Sequence, residues 1–182
     1  MNIFSKLFGS KNPKQAASFR DMYMEFGIMI SLNDQKVLTQ IQFLFDDTEA
    51  FIKKHQEQYY NRGIDPQQWK KEDLYWISFA DILIENNYAV EFDVSSELDD
   101  FEYLLKDLKG FESFPLPNFP ILNQDEAVYL WIEQINQHWQ NEQILLMQQD
   151  IDGDCHVVFP VKKQYIAFLE TTSKKLGKTF FV

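Results

Sequence analysis

An Asp-rich stretch, DIDGD, is the first place where residue types and spacing suggest chemistry. Carboxylates at alternate positions, here Asp150, Asp152 and Asp154, begin the loop that binds calcium in an EF-hand. That loop also needs glycine at its sixth position and a bidentate acid at its twelfth, and these positions hold Cys155 and Val161. Because both requirements fail, we interpret the three Asp residues as turn residues rather than as a metal site.

A second group, Glu91, Asp93, Asp154 and His156, would share one face of a sheet if the strands that carry them are neighbours. Carboxylates beside an imidazole can bind a metal ion or carry out acid–base catalysis. Alternatively, these side chains form only the solvated face of the sheet, and we favour that interpretation. A metal-dependent or acid–base enzyme that uses this face is therefore the second hypothesis for function.

The segment EFDVSSELDDFE contains six acids and no Lys or Arg. They are Glu91, Asp93, Glu97, Asp99, Asp100 and Glu102. The dipole of a helix favours acids in its first turn, which is a structural explanation for some of them. The functional explanation is a docking surface for a basic protein partner, and the two explanations are compatible. We call residues 91–102 the acidic segment and predict that its six acids bind the partner.

Nucleophilic catalysis has less support in the sequence. Cys155 lies on the predicted core face of a strand, where a thiol is usually an inert small apolar group. His55 and His138 lie on predicted helices, far apart in the chain and without a motif. The chain contains no phosphate-binding glycine-rich loop, CxxC or HExxH. We therefore expect a non-enzymatic protein without catalytic residues, bound metal or cofactor.

The charge of the chain points to a protein partner. Lys and Arg number 17 and Asp and Glu 28, a formal net charge of −11. Residues 1–20 contain four of the basic residues and none of the acids. A surface this acidic repels nucleic acid, whose binding depends on Lys and Arg, and attracts a basic protein. The alternative is that the acidity only maintains solubility.

Length and composition favour one α+β domain in the cytoplasm. A chain of 182 residues with 45% apolar residues can bury a sizeable core. A single cysteine fits a reducing compartment, and no apolar run reaches the ~18 residues of a membrane span. Residues 1–17 are interpreted as an extension and linker with too little apolar area for stable membrane anchoring. Residues 18–182 are predicted to form the domain, with a helical part (18–87) and a β-α-β-β-α-β part (88–182).

The elements that position these residues are organised around a hairpin, ILLMQQDIDGDCHVVFPV. Its two apolar runs flank Asp152-Gly153, a pair typical of a two-residue type I′ turn with two positive-φ residues. Alternation in the second arm predicts a core face and an opposite face. The core face comprises Cys155, Val157, Phe159 and Val161.

The order of elements from Tyr88 onward predicts a split β-α-β sheet. A strand over 88–94 precedes a helix, an extra helix over 123–141, the hairpin, a helix closed by Gly177 and a last short strand, and apart from the extra helix this is the split pattern. The predicted fold is therefore α+β, an antiparallel-rich four-stranded sheet in ferredoxin-like order with its helices on one face. Additional N-terminal helices, predicted at 18–30, from Asp34 to about Tyr60 and after Asp65-Pro66, would cover the other face or an edge.

Two stretches of this sequence resemble a bacterial family of uncharacterised domains. LLMQQDIDGDCHVVFPVKKQYIAFLETTSKKLGKTF is similar to the family's Asp-rich turn, xVxFxV strand and closing helix with Leu-Gly. WKKEDLYWISFADILIENNYAVEFDV is similar to its Trp-containing helix and following strand, although the family's second small polar turn residue is Gly153 here. Members of such families are often regarded as immunity proteins encoded beside secreted polymorphic toxins. The resemblance implies a cytoplasmic protein that binds and neutralises a toxin, and many such toxins are basic nucleases.

Overall fold

Helices and a four-stranded sheet make up the structure, a computed structural model that describes residues 18–112, 114, 116–151 and 153–182. The predicted extension over 1–17 therefore lies outside the described residues. The elements, in chain order, are α1 (Phe19–Ile30), α2 (Gln35–Asp46), α3 (Thr48–Lys54), α4 (Gln56–Asn61), α5 (Lys71–Glu85), β1 (Val90–Asp93), α6 (Leu98–Lys106), a 3-10 turn (Lys109–Phe111), α7 (Val128–His138), β2 (Ile144–Gln149), β3 (Cys155–Lys162), α8 (Lys163–Lys175) and β4 (Phe180–Phe181).

The four strands form an antiparallel sheet in the order β1-β3-β2-β4. The predicted α+β class and the split arrangement, with β3 between β1 and β2, are confirmed. The position of β4 differs from the prediction, because a ferredoxin-like order would place β4 beside β1. Here β4 pairs with β2 through Gln148↔Phe181 and Gln149↔Phe180, and β1 lies at the opposite edge.

Aromatic packing explains the position of β4. Phe180 is buried, and the centroid of its ring lies 4.7 Å from that of Trp76 on α5 and 5.1 Å from that of Phe26 on α1. The ring of Phe159 on β3 lies 5.6 Å away. Burying an aromatic side chain in such a cluster stabilises the fold by about 2–3 kcal/mol, so these contacts favour the β2 edge.

The position of β4 also places helices on both faces of the sheet. The connection from β1 to β2 crosses over β3, and the connection from β3 to β4 crosses over β2. Both connections therefore run in the same direction across the sheet. Because β1 and β3 are antiparallel, right-handed connections put their helices on opposite faces. Accordingly α6 and α7 share a core with Phe92 and Val158, whereas α8 packs with α1, α2 and α5 over Val157. The predicted placement of the crossover helices on one face is therefore wrong.

The hairpin is present and its predicted core face is buried, but the opposite face of its second arm is buried as well, and its turn differs. A two-residue turn at Asp152-Gly153 would pair residue 151 with residue 154, whereas the observed ladder ends at Gln149↔Val157. Asp152 lies outside the described residues. The indole N–H of Trp76 donates to the carbonyl of Asp150, which holds the chain away from the ladder. The type I′ turn is therefore wrong, because a longer connection joins β2 to β3.

The predicted helix from Asp34 to about Tyr60 is three helices rather than one. Asp47 ends α2 and, with non-helical backbone angles (φ −144°, ψ 76°), caps α3 by accepting from the N–H of Ala50 at 3.0 Å. His55 separates α3 from α4, and its Nδ1 lies 2.8 Å from the carbonyl oxygen of Phe51. Side chains that bond to nearby backbone compete with a continuous helix, which an apolar pattern does not reveal.

Candidate functional site

Four of the six acids in the acidic segment are exposed, and two are held in ion pairs. Asp93, Glu97, Asp99 and Asp100 are exposed, and none of the four forms an ion pair within the described part of the chain. The remaining two acids, which are half-buried, face basic side chains of this same chain. Four of the six acids predicted to bind a partner therefore have no ion pair within the described residues.

Asp93 fixes the turn between β1 and α6. Its Oδ1 accepts from the backbone N–H of Ser95 at 2.8 Å and from the hydroxyl of Ser95 at 2.7 Å. These hydrogen bonds favour the charged form and lower the pKa of Asp93. The carboxylate is thus ionised across the physiological range and stands at the exposed end of the edge strand β1.

Helix α6 presents the other acids at its N-terminus. Glu97 is the N-cap residue, with extended backbone and no capping hydrogen bond from its side chain. Asp99 and Asp100 lie in the first turn, where the helix dipole favours negative charge. Phe101 and Leu105 are fully buried against the sheet, and the acids therefore lie on the side of α6 that faces away from the core.

Glu102 marks one boundary of the exposed acidic surface. Its carboxylate pairs with the ammonium of Lys106 one turn later on α6. That ammonium also lies 4.8 Å from the centre of the Phe119 ring. Glu102 is therefore paired within the chain, and its predicted contact with a partner stays a prediction.

Glu91 belongs to a different structure, an ion cluster around Arg62. The guanidinium of Arg62 donates from Nη1 to Glu91 at 2.7 Å and from Nη2 to the second oxygen of that carboxylate. The same side chain donates from Nη2 at 2.8 Å and from Nε at 3.2 Å to Asp81 on α5. The forked guanidinium thus joins three elements that are separate in sequence: the end of α4, α5 and β1.

Burial and charge act in opposite directions in this cluster. Burial by itself lowers the pKa of Arg62. The hydrogen bonds and negative charge of Glu91 and Asp81 together outweigh burial, so the pKa lies above its ordinary value. Burial raises the pKa of Asp81 despite the neighbouring guanidinium. The side chain of Asp81 is 12% exposed and that of Glu91 23%, so both carboxylates are paired with Arg62 where water has little access.

Beside the cluster lies a cavity of ≈370 Å³ that includes Arg62, Glu91, Trp69 and Cys155 in its lining. Cys155 is half-buried, and burial together with a hydrogen bond to Glu91 raises the pKa of its thiol. The protonated thiol is consequently the dominant form at pH 7, and a thiolate would be needed for nucleophilic attack. The arrangement supplies a packed ion pair and a thiol donor rather than an activated nucleophile.

The predicted enzyme face is divided between the two sides of the sheet. The strands β1 and β3 are neighbours, as predicted, but the register pairs Glu91 with Val157 and Phe92 with His156. Glu91 therefore lies on the opposite face from His156, because alternate residues of a strand point to opposite faces. His156 contacts Gln148 instead, with Nδ1 2.9 Å from Oε1, and burial lowers its pKa. The combination of Glu91, Asp93, Asp154 and His156 does not form one site.

The Asp-rich stretch contributes only Asp150 and Asp154 to the described residues. The backbone of Asp150 accepts from Trp76 and donates to Thr179, while Asp154 is exposed. Within the ranges that the structure describes, no three His, Cys, Asp or Glu side chains are grouped so that they could hold a metal ion. None of the described helices is both long enough and apolar enough to cross a membrane.

Sequence reasoning missed two features of these surfaces. Arg62 and Asp81 were not expected beside Glu91, since nothing local in the sequence links positions that far apart. Tyr103 lies within α6 and is 72% exposed among acids. Its position four residues after Asp99 is the signal that could have identified it, because residues at i and i+4 are neighbours on a helix surface.

Comparison with known proteins identifies a family but no activity. The chain matches the family described as Domain of unknown function (DUF6630) over residues 22–182. This chain belongs to that family. The match supports the predicted resemblance to an uncharacterised domain family. Searches of curated proteins and of solved structures found no match.

Proposed function

We propose that this DUF6630 chain is a non-enzymatic module that binds a basic protein partner through the acidic segment. The observation that carries the proposal is the group of four exposed acids, Asp93, Glu97, Asp99 and Asp100, without an ion pair among the described residues. Negative charge concentrated in this way attracts cations and raises the association rate of a basic protein.

The more specific proposal is a cytoplasmic immunity protein that neutralises a toxin. Small size, net negative charge and the resemblance to immunity-like domains support it. An acidic protein that covers the phosphate-binding cleft of a basic nuclease would block substrate entry, because the cleft's Lys and Arg residues would already be paired. The competing hypothesis is an enzyme that uses Glu91, Asp93, Asp154 and His156. It has less support, because the register of β1 and β3 puts Glu91 and His156 on opposite faces of the sheet.

Affinity capture from the native host, followed by co-expression, tests this function. We expect a captured partner with an excess of Lys and Arg that binds in a salt-dependent manner. If the partner is a toxin, its expression alone should stop growth and co-expression with this chain should restore it. An acidic partner would contradict the binding proposal, and a harmless basic partner would contradict the immunity role alone.

A further inference from the structure

Large apolar side chains are exposed beside the acids of α6. Tyr103 is 72% exposed and Leu104 41%, although the apolar spacing of α6 predicts that Leu104 faces the core. Leu116 is 40% exposed, and Ile121 is fully exposed at 101%. Single exposed apolar residues are ordinary, but a contiguous group on one surface marks an interaction site.

Helix geometry places Tyr103 at the centre of the exposed side of α6. The buried residues Phe101 and Leu105 define the opposite side, and successive residues are 100° apart. Asp99 precedes Tyr103 by one turn and Asp107, which is also exposed, follows it by one turn. Asp100, three residues before Tyr103, lies on its other flank. The phenol ring is therefore surrounded by carboxylates.

The connector after the 3-10 turn extends this surface. Its residues 116–122 and the pair Glu102–Lys106 on α6 line one open depression of ≈640 Å³. Buried indoles hold the connector in place: Trp139 donates to the carbonyl of Asn118 at 2.9 Å, and Trp131 donates to that of Asn123 at 2.8 Å. The exposed Ile121 is thus presented by a fixed segment.

We infer that Tyr103, Leu116 and Ile121 form the centre of the partner interface and bind a basic amphipathic helix. This inference rests on the proposed function and names the chemistry of the partner's contact segment. Apolar side chains of the helix pack on Tyr103 and Ile121, and its Lys or Arg residues pair with the acids around Tyr103. A cation beside Tyr103 also gains from the face of the ring.

Charge complementarity and spacing determine this choice of occupant. Lys106, the sole basic residue within α6, is already paired with Glu102, so the unpaired charges of this helix are negative. Asp99, Tyr103 and Asp107 recur every four residues. A helix that lies along α6 repeats its own side chains at the same interval, so it can offer a cation, an apolar group and a second cation in register.

The two kinds of contact have separable kinetic effects. Rim charges chiefly change the association rate, whereas buried aromatic and aliphatic contacts chiefly change the dissociation rate. Tyrosine is one of the residues enriched among those whose truncation weakens binding most. The apolar centre is therefore testable separately from the acids that support the proposed function.

The test uses a labelled synthetic peptide of about 18 residues, about five helical turns, with Leu and Lys at amphipathic spacing. Its binding to the full chain is followed by fluorescence anisotropy at physiological salt. Tyr103→Ser and Ile121→Ser should each weaken binding by roughly fivefold to tenfold. The matched control is Tyr60→Ser, because Tyr60 is 57% exposed on α4, whose buried Tyr59 packs in the core on the other face of the sheet. Circular dichroism verifies that each variant is folded.

A second peptide with the same composition but a scrambled order should bind more weakly and should not respond to Tyr103→Ser. Wild-type affinity in both Tyr103→Ser and Ile121→Ser would overturn the inference, as would equal binding of the two peptides. If only Asp99→Lys with Asp100→Lys weakens binding, the apolar centre is wrong and the proposed function stands. If that charge reversal leaves binding of the native partner unchanged, the proposed function itself fails.

Discussion

At the scale of single residues, Arg62 has the largest structural role in the candidate region. Its guanidinium forks onto two carboxylates from α5 and β1 that have little access to solvent. Residues 29 positions apart meet here, in Arg62 and Glu91. Local patterns in the sequence predict exposure and secondary structure but not such long-range pairs, so Glu91 was predicted to bind a partner without Arg62 being expected beside it.

Replacing Arg62 with Met should lower the free energy of unfolding by about 2–4 kcal/mol, because it leaves two poorly solvated carboxylates without a partner. Arg62→Lys should lower the free energy of unfolding by less than Arg62→Met does, since an ammonium keeps the charge but cannot donate to both carboxylates as the guanidinium does. Urea denaturation measures both variants. The control is Lys106→Met, which removes an exposed i,i+4 pair worth about 0.3–0.5 kcal/mol. Equal losses in Arg62→Met and Lys106→Met would show that the cluster is not a buried one.

His156 should make stability depend on pH near neutrality. Its pKa is lowered below the ordinary 6.5 by burial, so the unfolded chain binds a proton at higher pH than the folded one. The neutral ring contributes fully to stability above the unfolded-state pKa of about 6.5. That contribution is lost as the pH falls through the lower pKa of the folded protein. Between pH 7 and about pH 5.5, His156→Gln should therefore lose less stability than wild type. An equal or larger loss in the variant, measured by urea midpoints at both pH values, would contradict this assignment.

At the scale of the elements, apolar patterns predicted where the strands lie but not that helices cover both faces of the sheet. The predicted core face of β3, with Val157 and Phe159, is buried, and so is Val158 on the opposite face. Loops and helix breaks were predicted poorly. The connection after Gln149 depends on a hydrogen bond from Trp76, which is remote in sequence, and the breaks at Asp47 and His55 depend on side chain to backbone bonds. The position of β4 depends on the core that receives Phe180.

Two glycines at close contacts provide a paired test of the packing between elements. A Cβ on Gly110, in the 3-10 turn, would clash with the ring of Pro160 on β3, which is rigid. A Cβ on Gly27 would meet the end of the flexible Ile41 side chain. Gly110→Ala should therefore cost about 1–3 kcal/mol by overpacking. Gly27→Ala should cost less, because Ala is favoured over Gly within a helix by about 1 kcal/mol.

Urea midpoints of the two variants measure the difference. Gly110→Ala should have the lower midpoint with an unchanged slope, as expected for a change in stability alone. A lower midpoint for Gly27→Ala than for Gly110→Ala would contradict the packing of the 3-10 turn on β3.

At the scale of the whole molecule, charge is organised in two ways. Glu91 is paired with Arg62 in a poorly solvated cluster and Glu102 with Lys106 on the surface of α6, while Asp93, Glu97, Asp99 and Asp100 remain exposed on one segment. Composition predicted an acidic surface and a basic partner, because Asp and Glu are almost always solvent-facing. The subset of acids that remains available could be assigned only from the ion pairs.

The rate at which the captured partner associates with the chain tests the central claim most directly. Stopped-flow measurements at about 0.01 M and about 0.15 M salt change the Debye length from about 30 Å to about 8 Å. Asp99→Lys with Asp100→Lys should slow association roughly tenfold or more at low salt and flatten its salt dependence.

The matched control is Glu57→Lys with Glu72→Lys, which makes the same charge change in the first turns of α4 and α5. We predict that this control variant keeps most of the wild-type rate and salt dependence, while the α6 variant loses both. A wild-type rate in the α6 variant, or equal slowing in the two variants, would contradict docking through the acidic segment.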